Sequence, residues 1–211
     1  MIKRLIFDVD GTLITGVDFK SSIRNALSRL GINSSELVDK FINNIKNYEK
    51  RYDNYNRKDY LNFFSEVLGV TLDSSFLDMF FDELRRCVPK KDERLIKCIS
   101  ELSLNYDLVL LTNYFGESQM NRLDSMGIGK YFSHCYGEDL IKPNVDSYIS
   151  ACGNYNPYEC VIIGDDLDLD VIVPKSLGLN TIYVGDSDFS NVVRVINVCD
   201  INSEFIENIF N

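Results

Sequence analysis

The sequence predicts an α/β fold in which an open, mainly parallel sheet carries helices on both faces and is interrupted by a block of helices. Apolar runs at 107–113, 160–166 and 180–186 alternate with helical patterns, as expected for strands that a parallel sheet buries on both faces. A further short apolar run, at 5–7, is separated from them by a long stretch of purely helical periodicity. With 211 residues, of which 45% are hydrophobic, the chain can bury a core of this kind.

The segment between the first apolar run and the others predicts four helices. Apolar residues recur there at helical spacing, and each helix presents one apolar face. The faces consist of Ile23, Ala26, Leu27 and Leu30; of Leu37, Phe41, Ile45, Tyr48 and Tyr52; and of the segments 60–68 and 76–84. The predicted N-caps are Ser34, Asn56 and Ser74, and the predicted stops are Gly31 and Gly69.

This helical segment divides the chain into two predicted domains. An α/β core comprises residues 1–16 and 89–211, and a helical cap comprises residues 17–88. The junctions lie near Gly16 and Pro89, since glycine permits unusual backbone angles and proline ends helices. In the core, further helices are expected at 92–104, 116–126, 144–152, 168–177 and 203–210, with an edge strand at 194–198.

The net charge of −10 argues against general binding to nucleic acid or to an anionic membrane, because no excess of basic residues can neutralise phosphates. A small phosphorylated ligand needs only local positive charge, so this composition does not exclude one. The N-terminal apolar run is too short for a signal peptide, and no stretch approaches the ~20 apolar residues of a membrane span. The six cysteines lack a C-x-x-C pair and the chain has one histidine, so we expect reduced thiols, no zinc site and a cytoplasmic protein.

Polar residues follow the strands at the edge where parallel strands end, which is where open α/β sheets bind ligands. Taken singly, an acidic turn, a helix cap or a solvated lysine would explain each of them. Their coincidence at one edge favours a shared site instead. These residues are Asp8 and Asp10 after the first strand, Thr112 and Asn113 after the second, Asp165 and Asp166 after the run VIIG, and Lys142 before the helix at 144.

The residue types at this edge suit metal-assisted phosphoryl chemistry. Crowded carboxylates raise each other's pKa unless a cation neutralises them, and oxygen ligands without clustered His or Cys suit Mg²⁺. One aspartate can attack phosphorus as a nucleophile, and an aspartate two residues on can protonate the leaving group and later activate water. Thr112, Asn113 and Lys142 can hold the phosphoryl oxygens.

Four motifs, FDVDGTL, LLTNY, IKP and IIGDDLDLDV, carry a family resemblance. They resemble those of the haloacid dehalogenase superfamily, in its phosphatase branch with a helical, C1-type cap inserted after the first strand of a Rossmann-like core. The resemblance implies that Asp8 is the nucleophile and Asp10 the acid and base, with Thr112 and Lys142 as further catalytic residues. The residues it implies at the phosphate are Gly11, Thr12, Thr112, Asn113 and Lys142.

The resemblance also implies a bound Mg²⁺ ion. Its ligands would be the Asp8 carboxylate, the Asp10 main-chain carbonyl and Asp165. Asp170 would support the lysine of the site or a metal-bound water, and Asp166 would add support or a further ligand.

Two residues depart from the family pattern. Pro174 falls inside a predicted helix and removes a backbone hydrogen bond, so we expect a short or kinked helix there. Tyr114 stands where relatives often have glycine, and we expect its ring to pack under the cap. Candidate contacts from the cap to a substrate are Tyr48, Arg51, Tyr52, Arg57 and Lys58.

These observations predict a Mg²⁺-dependent phosphomonoester hydrolase whose partner is a small phosphorylated metabolite, with neither nucleic acid nor membrane involved. A dehalogenase of the same fold would attack carbon with Asp8 and need neither Mg²⁺ nor a proton from Asp10, so the second aspartate argues against it. The motifs are also compatible with a phosphoryl mutase and with a non-enzymatic phospho-acceptor or binding module.

Overall fold

The computed structural model describes residues 1–29 and 31–210, and within them six parallel strands form one sheet. Leu30, which we assigned to the first apolar face, lies outside the described residues. The strands are β1 (Arg4–Phe7), β2 (Asp107–Leu111), β3 (His134–Tyr136), β4 (Cys160–Gly164), β5 (Asn180–Val184) and β6 (Arg194–Val195). Their order across the sheet is β3-β2-β1-β4-β5-β6.

Strand β1 lies inside the sheet and positions the candidate site. Its Ile6 lies opposite Val109 of β2 on one side and opposite Ile162 of β4 on the other. The chain order reverses at this point, because β2 and β3 extend the sheet in one direction and β4 to β6 in the other. Such a switch point opens a crevice at the carboxyl ends of the strands, where open α/β sheets bind ligands.

Nine α-helices lie in the described part of the chain. None of the nine has both the length and the apolar composition that a bilayer span requires. The predicted helices at 116–126 and 203–210 are confirmed, and those at 92–104 and 144–152 are confirmed to within two residues at each end. The helices are α1 (Phe19–Arg29), α2 (Ser35–Glu49), α3 (Arg57–Leu68), α4 (Ser74–Arg85), α5 (Glu93–Leu102), α6 (Gly116–Met126), α7 (Val145–Cys152), α8 (Val173–Ser176) and α9 (Ser203–Phe210).

The segment predicted as a helix at 168–177 takes a different form. Leu167–Ile172 is a π-helical turn, and α8 follows it with four residues. Pro174 lies in the first turn of α8, where a proline is tolerated because an N–H in the first turn would have no partner within that helix. The short helix expected from Pro174 is therefore confirmed, and the expected edge strand at 194–198 is shortened to β6.

Alternate residues of β1 pack on opposite faces of the sheet. Leu5 and Phe7 belong to a large hydrophobic cluster that also contains Leu123 of α6. Ile6 belongs to a second cluster, which contains Tyr148 of α7. Side chains alternate in this way along every strand, so the predicted helices on both faces are confirmed.

Helices α1 to α4 pack around a hydrophobic cluster of their own. The Phe41 and Phe64 rings stack with their centroids 4.3 Å apart, and the Phe80 ring packs against them at 6.1 and 5.9 Å. Tyr114 and Phe115, from the loop that follows β2, belong to the same cluster. The helical block therefore lies against the carboxyl edge of the sheet, and its division from the core as a separate domain stays our prediction.

The ends of these helices follow the predicted capping with one correction. The Asn56 side chain caps α3 by accepting two main-chain N–H bonds, and Gly69 ends α3 with a left-handed φ of +68°. The Ser34 hydroxyl accepts from a main-chain N–H in the first turn of α2 at 3.4 Å. Ser74 is wrong as an N-cap, because α4 begins at that residue and the Asp73 carboxylate caps it instead.

The six cysteines of the described chain are free thiols. Cys98 Sγ lies 3.6 Å from the Val198 carbonyl oxygen and 3.5 Å from that of Ile201. Burial raises the pKa of Cys98, and likewise of Cys135, to about 12. These two thiols are therefore protonated and unreactive at neutral pH.

Candidate active site

Asp8, Lys142 and Asp170 form a buried ion triad at the carboxyl end of β1. Asp8 follows β1 directly, and its N–H donates to the Ile163 carbonyl at 2.9 Å, which continues the pairing with β4. The Lys142 Nζ atom lies 2.8 Å from Asp8 Oδ1 and 2.7 Å from Asp170 Oδ1. All three side chains are buried. The structure thus brings together three residues that the sequence places far apart.

The groups around the triad carry more negative than positive charge. Burial raises the pKa of Asp8 to about 7, since the opposing effect of Lys142 is smaller and repulsion from Asp170 adds to the shift. Burial acts to lower the pKa of Lys142, but Asp170 and Asp8 together raise it above its ordinary range. Burial and Asp170 also raise the pKa of Asp165. A further cation would relieve this excess of charge.

Asp165 reaches the triad because Gly11 leaves room for it. Gly11 has a φ of +94°, and a Cβ atom at this position would collide with the Asp165 carboxylate. The Thr12 hydroxyl donates to Asp165 Oδ1 at 3.2 Å. Carboxylate oxygens of Asp8, Asp165 and Asp170 consequently lie within 4.8 Å of one another. Gly11 and Thr12, which we expect at a phosphate, thus also position Asp165, and Gly11 lines the cavity described below.

Asp170 supports Lys142 and has both carboxylate oxygens engaged. Its Oδ1 accepts from Lys142 Nζ, and its Oδ2 accepts from the Asp166 N–H at 3.2 Å. Gly164 leaves room for this carboxylate, which a Cβ atom there would overlap. The exposed Asp166 accepts two N–H bonds of 2.9 Å at its Oδ1, from the turn that carries Asp170. Asp166 therefore stabilises that turn and is not part of the acidic cluster among the described residues.

Thr112 and Asn113 follow β2 and make different contacts. Thr112 is buried, and its Oγ1 accepts from Gln119 Nε2 at 3.1 Å, which leaves the hydroxyl hydrogen available to a ligand. Asn113 Nδ2 donates to the Lys142 carbonyl at 2.9 Å, and Asn113 Oδ1 accepts from the Lys142 N–H at 2.8 Å. Asn113, which we expect at a phosphate and which lines the cavity described below, thus also holds the main chain of Lys142.

The Asp10 carboxylate is held by two side chains that sequence reasoning missed. Arg122 Nη1 donates to Asp10 Oδ1 at 2.8 Å, and Gln119 Nε2 donates to Asp10 Oδ2 at 2.6 Å. Both donors come from α6 and are fully buried, whereas the Asp10 side chain is 46% exposed. The sequence does indicate that these two donors are buried. Gln119 and Arg122 fall on the same face of α6 as the apolar residues Leu123 and Met126.

A cavity of about 620 Å³ opens over these groups. Its polar wall includes Asp8, Asp10 and Lys142, and its apolar wall includes Phe19 and Tyr114. The Tyr114 ring also packs against rings of α3 and α4, with centroids 6.1 and 6.3 Å apart. Tyr114 therefore packs under the helical block, as expected, and lines the cavity as well.

In the described part of the chain, the cap residues that we expect near a substrate are not among those that line this cavity. Tyr48 is buried within the helical block, and the Arg51 guanidinium lies 4.3 Å from the centre of its ring. Arg57 forms ion pairs with acidic residues of α4 and α6. Tyr52 and Lys58 are exposed. Helical spacing therefore predicts the faces of the cap helices but not which of their residues face the cavity.

The sheet order and the acidic group at its switch point define a Rossmann-like enzyme core with a helical insertion. The chain belongs to the haloacid dehalogenase-like hydrolases, because the model of that family matches residues 2–178. The superfamily resemblance drawn from the four motifs is thereby confirmed. No curated protein matches the chain.

Solved structures with this fold include a phosphatase and dehalogenases. The HAD-hydrolase YfnB from Bacillus subtilis, bound to magnesium, is 20% identical over 100% of this chain and 99% of its own, with a TM-score of 0.62. A HAD phosphatase from Thermococcus onnurineus is 20% identical over 93% of this chain and 94% of its own, with a TM-score of 0.62. L-2-haloacid dehalogenase from Xanthobacter autotrophicus, with chloropropionic acid covalently bound, is 20% identical over 89% of this chain and 79% of its own, with a TM-score of 0.60. At these identities the likeness shows the fold alone.

Replacing Lys142 with methionine should destabilise the protein strongly, because Asp8 and Asp170 then lose the cation between them. In buffer that contains a chelator, we expect the free energy of unfolding to fall by about 3–5 kcal/mol. Urea denaturation followed by circular dichroism measures this change. Lys97→Met is the matched control, since Lys97 is exposed and its surface ion pair contributes under about 1 kcal/mol.

Asp170→Asn should restore part of the stability lost in Lys142→Met, because it removes one of the two uncompensated charges. The double variant is measured under the same conditions. If Lys142→Met lowers the free energy of unfolding no more than Lys97→Met does, the stability of the protein does not depend on the ammonium group of the triad.

Proposed function

We propose that the protein is a cytoplasmic, Mg²⁺-dependent phosphomonoester hydrolase that acts on a small phosphorylated metabolite through an aspartyl-phosphate at Asp8. The observation that carries the proposal is the different surroundings of the two aspartates after β1. Asp8 is buried against Lys142, whereas Asp10 is nearly half exposed at the cavity. A fixed nucleophile beside a proton carrier that water can reach is what this chemistry needs.

The acidic cluster fits Mg²⁺, because its donors are carboxylate oxygens and Lys142 alone does not balance their charge. Asp8 and Asp165 would hold the ion together with the Asp10 main-chain carbonyl. Asp170 would not, since both of its oxygens are engaged by other groups. When bound, Mg²⁺ would offset the charge of the substrate phosphate and of the surrounding carboxylates.

In the first step Asp8 attacks the phosphorus atom of the substrate. A bond forms between an Asp8 carboxylate oxygen and phosphorus, and the bond from phosphorus to the leaving oxygen breaks. Asp10 donates its proton to that oxygen, so the product leaves as a neutral alcohol. The Lys142 ammonium group and the Thr112 hydroxyl stabilise the negative charge of the phosphoryl oxygens.

In the second step water releases the phosphoryl group. Asp10, now a carboxylate, accepts a proton from a water molecule whose oxygen attacks phosphorus. The bond between phosphorus and Asp8 breaks, which frees inorganic phosphate and restores both aspartates. Water can reach Asp10 because this side chain lines the open cavity.

Dehalogenation is the second candidate, because a solved structure of this fold is an L-2-haloacid dehalogenase with chloropropionic acid covalently bound. In that reaction Asp8 would attack carbon, and halide would leave without a proton. Asp10 would then have no leaving group to protonate, and water would still have to hydrolyse the ester formed on Asp8. Phosphoryl transfer is supported instead by the two buried side chains that hold Asp10 at the cavity.

Purified protein should release phosphate from para-nitrophenyl phosphate with Mg²⁺ and lose this activity in EDTA. Asp8→Asn should lower kcat by at least about a thousandfold, since an amide cannot attack phosphorus. Asp168→Asn is the matched control, because Asp168 is an exposed aspartate of the turn after β4 that stands outside the acidic cluster. This control variant should keep nearly wild-type turnover.

A dehalogenase and a mutase would give different products in the same assays. Folded protein that releases chloride from chloropropionate, but no phosphate from the aryl ester or from a metabolite panel, would establish the dehalogenase. Transfer of the phosphoryl group to an added alcohol in preference to water would establish a mutase. Phosphate release that persists in Asp8→Asn would refute the assigned nucleophile.

Gly11→Ala should weaken Mg²⁺ binding, because the added methyl group displaces the Asp165 carboxylate. We expect the Kd to rise at least about tenfold, as for other losses of support around a metal site. Gly16→Ala is the matched control, since Gly16 also has a left-handed φ, of +68°, but no described atom lies within 4 Å of its Cβ position. Isothermal titration calorimetry measures both affinities, and equal values would argue against Asp165 as a ligand.

A further inference from the structure

Arg122 is the largest fully buried side chain of the described residues, and it lies behind Asp10. Its Nη1 donates to Asp10 Oδ1 and to Gln119 Oε1, each at 2.8 Å. Its Nε and Nη2 donate to the Cys87 carbonyl at 3.3 and 3.0 Å. Because an unpaired buried donor is costly and the guanidinium is rigid and planar, these bonds fix its orientation.

The guanidinium also contacts both connections between the sheet and the helical block. Cys87 lies in the linker between α4 and α5, shortly before Pro89. Phe19, the first residue of α1, lies beside the guanidinium, with its ring centre 5.5 Å from Arg122 Cζ. One side chain thus joins Asp10 to the helix that enters the block and to the linker that leaves it.

We propose that Arg122 is a positioning residue for proton transfer by Asp10, and that through Arg122 this transfer depends on the seating of the helical block. The inference rests on the proposed phosphatase function, in which Asp10 is the acid and base. Gln119 completes the arrangement, since its Nε2 donates to Asp10 Oδ2 and to Thr112 Oγ1. Both oxygens of the Asp10 carboxylate are therefore held, one by a charged donor and one by an amide.

Holding both oxygens matters because Asp10 would otherwise be a mobile side chain. With 46% of its side chain exposed, an unrestrained aspartate would sample several rotamers. A proton reaches the leaving oxygen when the carboxyl group points at it within hydrogen-bond distance. Movement of the linker would shift the Cys87 carbonyl, and with it the guanidinium that sets the direction of Asp10.

The dependence of the rate on the leaving group separates positioning of Asp10 from a general loss of structure. A dinitrophenolate leaves without protonation, whereas an unactivated alkoxide needs the proton of Asp10. In single-turnover, rapid-quench measurements with Mg²⁺, we expect Arg122→Met to slow alcohol release from an alkyl phosphate by at least about a hundredfold and from dinitrophenyl phosphate by less than about threefold. Arg94→Met, at an exposed arginine that pairs with Asp200, is the matched control and should change neither rate.

Further variants test whether Arg122 acts through Asp10. Asp10→Asn should show the same selective loss, and adding Arg122→Met to it should change the alkyl ester rate little, because the two changes remove one function. Gln119→Met and Phe19→Leu keep the arginine and should give milder losses confined to the alkyl ester. Circular dichroism and Tm identify any variant that fails to fold. If Arg122→Met fails to fold, Gln119→Met and Phe19→Leu still test the inference.

Equal losses for both esters in the folded variants, or full additivity of Arg122→Met with Asp10→Asn, would overturn the positioning role and leave the phosphatase function standing. An unchanged alkyl ester rate in Phe19→Leu would overturn the dependence on the helical block. Wild-type protein that releases no phosphate from either ester would instead overturn the proposed function itself.

Discussion

The buried ammonium group of Lys142, held between Asp8 and Asp170, is the interaction on which the rest of the site depends. Each of these ions loses several kcal/mol of hydration when it leaves water, so none is stable there unless the others are in place. The three come from different parts of the chain: the end of β1, the segment before α7 and the turn after β4. The site therefore assembles where the sheet brings these three segments together.

Around the triad, most polar contacts hold a charged group in one position. Asn113 fixes the main chain of Lys142 on both sides, and Asp166 caps the turn that carries Asp170. Gly11 removes the side chain that would push Asp165 away. Dipoles and charges that are fixed before the substrate arrives need not reorganise during the reaction, which is the main source of electrostatic catalysis. Arg122 extends the same principle to Asp10.

Much of the fold and part of the site could be predicted, because both leave local patterns in the sequence. Apolar runs and helical spacing indicate the strands and helices, and the ends of parallel strands indicate where polar groups meet. The contacts of Arg122 and Gln119 could not be predicted in this way, since spacing places them on a buried face but does not say what they meet there. The bonds from Asn113 to Lys142 could not be predicted either, because they join Asn113 to the main chain of a distant segment.

That Asp8 carries the phosphoryl group is the central claim, and trapping the group on Asp8 tests it most directly. Protein is mixed with substrate and Mg²⁺, quenched in acid and treated with borohydride, which reduces an acyl phosphate to an alcohol but leaves a carboxylate intact. Mass spectrometry of the tryptic peptide 5–20 should then show homoserine in place of Asp8. The homoserine should be absent when substrate is omitted, and it should also be absent in Asp8→Asn. Reduction at Asp10 or another residue, or an unmodified peptide from protein that is turning over substrate, would contradict the claim.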